Sequence, residues 1–438
     1  MADSEPPSGT RRREIIRMGG AVAAVGLAGC SGEDDEATTD DGAEPATDEG
    51  ESATDGDASN DESFVFAEYN IERMNTEQIQ PGNDDQLAAA AEVIQRQPEP
   101  DVLLICELDN NFQEGAQTET HNGIAFLDNY LTVPQADDLS GVDFEYFYAP
   151  ESNTGVPSGI DQFKDGYRLE QSDEFPEADD YANDCHGYGE YPGHFAMGIY
   201  SKHPIDFDAI RTFRRLRWAD MPQSRIPRAE DRVTEAEAEE SDEAWTGWFT
   251  PAERERFRLS SKTHADIPIE IGGETIHAFI THPTPPGFDG PENMNGRRCY
   301  AENRLVADVV RDADYLYDDD GESGGIPADE PFVIMGDLNT EPGEEVTYNV
   351  IEEHVFNERV NTESIPTSAG GREAGPDGSE FWTADFEKQA DYVLPSTDFD
   401  VTDSTVFWPS PDDDPELNEL ALNASDHFMI WTEVEPTG

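Results

Sequence analysis

Residues 102–106, Val-Leu-Leu-Ile-Cys, form an unbroken apolar run that starts just after Pro98 and Pro100 and ends at Glu107. A short run of this kind is expected of a strand covered on both faces. Around it, strand-like and helix-like segments alternate. Residues 64–69, 196–200, 275–281, 332–335, 392–394 and 428–434 have strand character. Residues 86–96 are Ala-rich, begin after Asn83-Asp84-Asp85 and stop before Pro98, so they are expected to be helical. Residues 297–317 are expected to form a second, longer helix. No internal repeat and no second linker interrupt this pattern. The residues therefore predict an α/β arrangement in one large domain over residues 62–438, with its topology left open by periodicity alone.

Polar residues follow the strand segments in a repeated way. Asn70 ends the first segment, Glu107 the 102–106 run, and His282 the 275–281 segment. Gly336-Asp337-Leu338-Asn339 follows residues 332–335, Asp391 precedes 392–394, and Asp426-His427 precedes 428–434. Taken singly, each has an ordinary structural explanation. An Asp-x-Asn after a strand is commonly an Asx turn, and a Glu there a helix cap. If these strand ends share one rim, carboxylates, amides and two imidazoles converge where function collects in α/β sheets.

The pieces Tyr69-Asn70-Ile71, Leu104-Ile105-Cys106-Glu107, Thr281-His282-Pro283, Met335-Gly336-Asp337-Leu338-Asn339, Ala390-Asp391-Tyr392-Val393 and Ser425-Asp426-His427 resemble, in order, the motifs of the endonuclease/exonuclease/phosphatase (deoxyribonuclease-I-like) superfamily. That resemblance implies a four-layer α/β/β/α sandwich and metal-dependent hydrolysis of a phosphoester, by a nuclease or a phosphatase. It implies Mg²⁺ or Mn²⁺, with Ca²⁺ as a further candidate, held chiefly by Glu107 with Asn70 and Asp426 in support. A hard cation that keeps several waters needs only one or two carboxylates. The same resemblance makes Asp337 the group that orients and deprotonates the attacking water, and Asn339 an amide on phosphate or nucleophile. His427 would bind phosphate opposite the metal, fixed by Asp391, and His282 would protonate the leaving oxygen or bind phosphate. Two departures, the Cys before Glu107 and the Pro after His282, remove no ligand. Arg297 and Arg298 are candidates for touching substrate phosphate.

The chain carries 98 acidic side chains against 27 basic ones, a formal charge of −71, and only four lysines. Self-repulsion of this size would destabilise a compact state at low ionic strength. At about 1 M salt the Debye length is roughly 3 Å and most of it is screened, so the acidity is expected to be an adaptation to high salt. The paired arginines among Arg11, Arg12 and Arg13, the short apolar run 18–29 and the box Leu27-Ala28-Gly29-Cys30 resemble a twin-arginine lipoprotein signal over residues 1–29. Cys30 would then be the lipidated first residue of an extracellular, membrane-anchored protein, which is expected to be a monomer. Residues 30–61 are polar and acidic with no aromatic residue and are expected to be a disordered tether.

Several features remain open at this level. Cys106 is expected to be a buried thiol, while Cys185 and Cys299 could form a bridge. The polar insert between Tyr148 and Met197 is either a solvated loop or a substrate-selecting one. The acidic stretch 233–242 is expected to be exposed. Ten of the basic residues fall between Arg211 and Arg258, either gripping nucleic acid or a multiply charged phosphate, or pairing with surface carboxylates. An alternative function is a catalytically inactive surface lipoprotein that binds phosphorylated ligands.

Overall fold

The computed structural model describes residues 63–437 apart from 114–119, 163–177, 229–248, 289–292 and 377. The expected leader, Cys30, the acidic tether and the 233–242 stretch lie outside the described residues.

Strands β1 (Phe64–Met74) and β2 (Val102–Leu108) run parallel, with Asn70 opposite Cys106. They occupy the middle of a six-stranded sheet completed by β3 (Tyr146–Tyr148), β4 (Met197–Ser201), β10 (Phe399–Val406) and β11 (Ile430–Pro436). Its order is β10-β11-β1-β2-β4-β3. The second sheet, β5-β6-β7-β8-β9, is built from β5 (Arg211–Thr212), β6 (His264–Ile271), β7 (Glu274–Thr281), β8 (Phe332–Asp337) and β9 (Asp391–Pro395). Here β7 and β8 are parallel and the other pairs antiparallel.

Period-two alternation assigns each face. Ala278, Ile280, Val333, Met335 and Val393 face the first sheet and join its core. Their neighbours Phe279, Phe332, Ile334, Tyr392 and Leu394 face the other way, against Ala301, Leu305, Val306 and Val309 of helix α2 (Met294–Val310). On the far side of the first sheet, helix α1 (Asp85–Gln95) packs with α3 (Pro415–Ala424). Asp84 caps α1, its carboxylate accepting from the Leu87 N–H at 3.1 Å. The layers are thus helix, sheet, sheet and helix, as the motif resemblance implied.

Differences from the sequence expectation have local causes. Helix α2 starts three residues early and ends at Val310, not at 317. Asp312, at φ +52°, closes it with bonds from Asp312 N to Val309 O and from Ala313 N to Asp308 O. This is a Schellman-type stop normally signalled by Gly. Strand β6 is not among the segments with strand character in the sequence; it contains Pro268, a residue that argues against a strand. Pro268 is tolerated because beyond the two-residue β5 this edge carries only an isolated bridge of Ile205 with Ile269, where Pro268 serves through its carbonyl, accepting from Asp206 N at 3.0 Å. The described cysteines Cys106, Cys185 and Cys299 are all free and buried. The question left open for Cys185 and Cys299 is thereby answered: they are two separate thiols.

The β7–β8 crossover depends on one glycine. Gly336 has φ +153°, and a Cβ there would lie 1.9 Å from the Thr281 carbonyl oxygen. Gly336→Ala should destabilise the protein by about 2 kcal/mol or more, read by chemical denaturation in high salt. A fully stable variant would mean that the two strand ends are free to separate.

Candidate active site

The strand registers bring the polar strand ends together. Asn70, where the β1–β2 register shifts, and Glu107, near the end of β2, lie at the same edge, since Asn70 pairs with Cys106. His282 and Asp337 leave β7 and β8 together, since Ile280 pairs with Met335. Asp337 lies directly opposite Asp391 across the antiparallel β8–β9 ladder. Ser425 staples the remaining piece to this rim. Its hydroxyl donates to the Asn70 carbonyl at 2.8 Å and accepts from Glu72 N and His427 N.

Asp337 is the hub. One carboxylate oxygen accepts from Asn339 N at 2.8 Å, an Asx turn. The other accepts from Asn70 Nδ2 and Asn339 Nδ2, each at 3.1 Å, and faces His282 Nε2 at 3.4 Å and His427 Nε2 at 3.9 Å. The Asx turn is present, and its carboxylate stands at the centre of the converging groups. Burial raises the Asp337 pKa to about 7, against the opposing pull of His427. His427 donates from Nδ1 to Asp391 at 2.9 Å. Burial alone would lower its pKa, but Asp391 and Asp337 outweigh that and raise it well above the usual imidazole range. Thr383 completes the dyad by donating to Asp391 Oδ2 at 2.6 Å. His282 behaves oppositely. Burial, reinforced by Lys262 and His427, lowers its pKa far below the usual value, so it is neutral.

The donor set fits a hard cation. Asn70 Oδ1 is buried with no hydrogen-bond partner among the described residues. Beside it, one oxygen of Glu107 accepts from Arg73 N at 2.9 Å. Glu107 itself is held at φ +63°, a conformation rare for such a residue and often found at functional sites. Asp426 lies next to Ser425, half-buried. These oxygens, from Glu107, Asn70 and Asp426, suit Mg²⁺ or Mn²⁺. Ligand atoms of Asp337, Asp391 and His427 also lie within 4.8 Å of one another. There, however, an imidazolium already supplies the positive charge, and a protonated ring has no lone pair to ligate with.

Of the expected substrate contacts, Arg297 sits half-buried on the first turn of α2. Arg298 is a correction: it is buried and donates to the Leu259 carbonyl at 3.0 Å and to the His186 carbonyl. Neighbours on a helix point about 100° apart, and this one points inward. In the polar insert, Asn153 is buried and donates to the Arg214 and Ser260 carbonyls. Lys164 lies outside the described residues. Part of the basic island pairs with carboxylates: Arg211 with Asp318, Arg214 with Glu151 and Arg217 with Asp220. Arg225 stacks over Tyr348 at 3.9 Å, and Arg232 lies outside the described residues.

Three site residues were not picked out from the sequence. Glu68 is fully buried two residues before Asn70, and burial, then Asp391 and Asp337, push its carboxyl well above the usual range. Its signal was a charge inside an apolar strand. Lys262 and Thr383 come from loops or strand starts that carry no periodic signal. The Asp391–His427 bond yields a test. Asp391→Asn should lower the His427 pKa, followed by NMR titration of the ring, because it removes the main group favouring the charged form. An unchanged titration would show that Asp391 does not set the ring's charge.

The sequence matches the family model described as "Endonuclease/Exonuclease/phosphatase family" over residues 69–427. No curated protein matches it. Similar solved structures include an endonuclease/exonuclease/phosphatase from Beutenbergia cavernae, at 15% identity, with 86% of this chain and 72% of that chain covered and a TM-score of 0.43. Sphingomyelinase C from Streptomyces griseocarneus is similar at 14% identity, covering 85% and 99%, with a TM-score of 0.41. A mannosyl-6-phosphatase from Bacteroides thetaiotaomicron is similar at 11% identity, covering 85% and 99%, with a TM-score of 0.40. With its motifs in order and the family match spanning most of its length, this chain belongs to the endonuclease/exonuclease/phosphatase family, whose members hydrolyse phosphoester bonds.

Proposed function

We propose that this protein is an extracellular, divalent-metal-dependent phosphoesterase that cleaves a phosphodiester or phosphomonoester by in-line attack of water. The observation that carries this reading is the setting of Asp337: a buried carboxylate with a pKa near 7, gripped by two amides, between a neutral and a cationic imidazole. A base poised near neutrality serves proton abstraction at neutral pH.

Glu107, Asn70 and Asp426 would hold Mg²⁺ or Mn²⁺, which when bound withdraws charge from a phosphoryl oxygen as a Lewis acid. Asp337 takes the proton of the attacking water. Asn70 and Asn339 hold its carboxylate in place, so little reorganisation is needed at the moment of attack. His427, kept charged by Asp391, offers its Nε2–H to a phosphoryl oxygen. His282 is neutral in the resting protein, so His427 is the better reservoir for the proton that the leaving oxygen requires. This revises the division of labour between the two histidines expected from the motifs alone. Burial of the group strengthens each of these interactions relative to water.

The acidic composition supports work in high salt, and the leader supports export and a lipid tether at Cys30. Two acyl-length chains would anchor it stably, at about 0.8 kcal/mol per buried methylene.

Three experiments follow from this reading. In multimolar KCl with Mg²⁺ or Mn²⁺, the protein should turn over at least one of bis-p-nitrophenyl phosphate, p-nitrophenyl phosphate and DNA; silence on a broad phosphoester panel would sink the enzyme reading. Glu107→Ala, Asp337→Asn and His427→Ala should each lower kcat on the order of 10²–10⁴-fold with the fold retained, and wild-type rates would refute the roles. Cys30→Ala should release the protein from membranes in a fractionation assay; continued sedimentation with membranes would exclude this anchor.

A further inference from the structure

Only four lysines occur in this chain. Lys202 and Lys388 lie at the surface against Glu99 at 3.3 Å and Glu341 at 2.8 Å, and Lys164 lies outside the described residues. Lys262 is different: it is 7% exposed. A lysine is rarely buried without a charged partner. Yet the one hydrogen bond its ammonium makes among the described residues is to the Pro283 carbonyl, at 3.0 Å. An ammonium carries three N–H donors, so two are left over.

Its position is specific. Asn339 Nδ2, which grips Asp337, donates to that same Pro283 carbonyl at 3.2 Å. Pro283 follows His282. The charges acting most strongly on Lys262 are Glu302, then Asp337 and Glu107. Lys262 in turn acts on His282 and Asp337. The ammonium therefore shares a carbonyl with the amide that grips Asp337, and its charge is felt by the water-activating carboxylate and by His282. The loop carrying it is clamped from behind. Glu302 of α2, fully buried, accepts from Ser261 N with one oxygen and from Thr284 N at 2.7 Å with the other. Asn153 N donates to the Lys262 carbonyl at 2.9 Å.

We propose that Lys262 is a substrate-binding residue whose ammonium holds a phosphoryl oxygen of the phosphoester with the donors it does not spend on Pro283. This rests on the phosphoesterase reading. A buried ammonium stays costly unless it meets an anion; a phosphoryl group supplies that anion. It also suits high salt, because a desolvated contact is screened far less than a surface one. The competing account is that Lys262 only neutralises Glu302.

The two accounts separate in a paired variant. Lys262→Met alone leaves Glu302 uncompensated and costs stability, so Lys262→Met/Glu302→Gln is made beside it and beside Lys262→Arg. All are studied as the full chain in multimolar KCl with Mg²⁺. The double variant, whose glutamine NH2 leaves one of the two N–H groups bound by Glu302 unpaired, should lose some Tm but stay folded at the assay temperature, and there lose about 100-fold or more in kcat/KM, with inorganic phosphate at least tenfold weaker as an inhibitor. Lys262→Arg should retain part of both. A double variant within threefold of wild type in kcat/KM and phosphate inhibition would overturn the assignment in favour of simple neutralisation. If the wild type turned over no phosphoester, the functional reading would fail by itself. Phosphate binding by calorimetry would still judge Lys262: binding lost in the double variant supports it, and equal binding overturns it.

Discussion

The hydrogen bond from Asn70 to Asp337 joins the ends of strands in two different sheets at the centre of the site. Everything chemical in this protein is arranged around the carboxylate that receives it. Asp337 is positioned by β8, paired in register with Asp391, and touched by groups from the ends of β1, β7 and the turn before β11. If β8 slipped by one residue in its ladder, its side chains would exchange faces and these contacts would be lost together. The sandwich core of Ile280, Met335 and Val393 against the first sheet sets this alignment.

Charge gives the site its character. Glu68, Asp337 and Asp391 gather where water is scarce, and buried anions of one sign cannot all ionise cheaply. The structure resolves the conflict by dividing roles. Burial keeps Glu68 neutral in the floor, Asp391 is spent on a charged His427, and Asp337 is left near its point of titration. His282, under the same burial but beside Lys262 and His427, is pushed to the neutral form. A divalent cation at Glu107 would complete this balance. The same four-part division explains why two histidines of similar sequence context should do different work.

Much of this was legible in the chain. The buried strand 102–106, the Ala-rich helix and the strand ends Asn70, Glu107, His282, Asp337, Asp391 and His427 stand out because polarity changes abruptly where an apolar run stops. What escaped was of two kinds. Strand β6 contains Pro268, whose cost depends on what pairs along that edge. The end of α2 was hidden because an Asp, not a Gly, takes the left-handed position. Arg298 was misread because closeness to His282 in sequence does not say which side of a helix a residue faces. Glu68 and Lys262 carry no spacing pattern at all; they matter because of what surrounds them.

The sequence by itself determined the residue types, their order along the chain and the strand ends on which they sit, and through these the family and the class of chemistry. These are local properties, written in polarity and spacing. Only the tertiary structure decided that Asp337 is the common neighbour, that one histidine is charged and the other neutral, and that Lys262 is buried against the Pro283 carbonyl while Arg298 is spent on the Leu259 and His186 carbonyls. Protonation and reach depend on desolvation and on charges tens to hundreds of residues away. No spacing rule carries that information, because it exists only once both sheets have closed over the group.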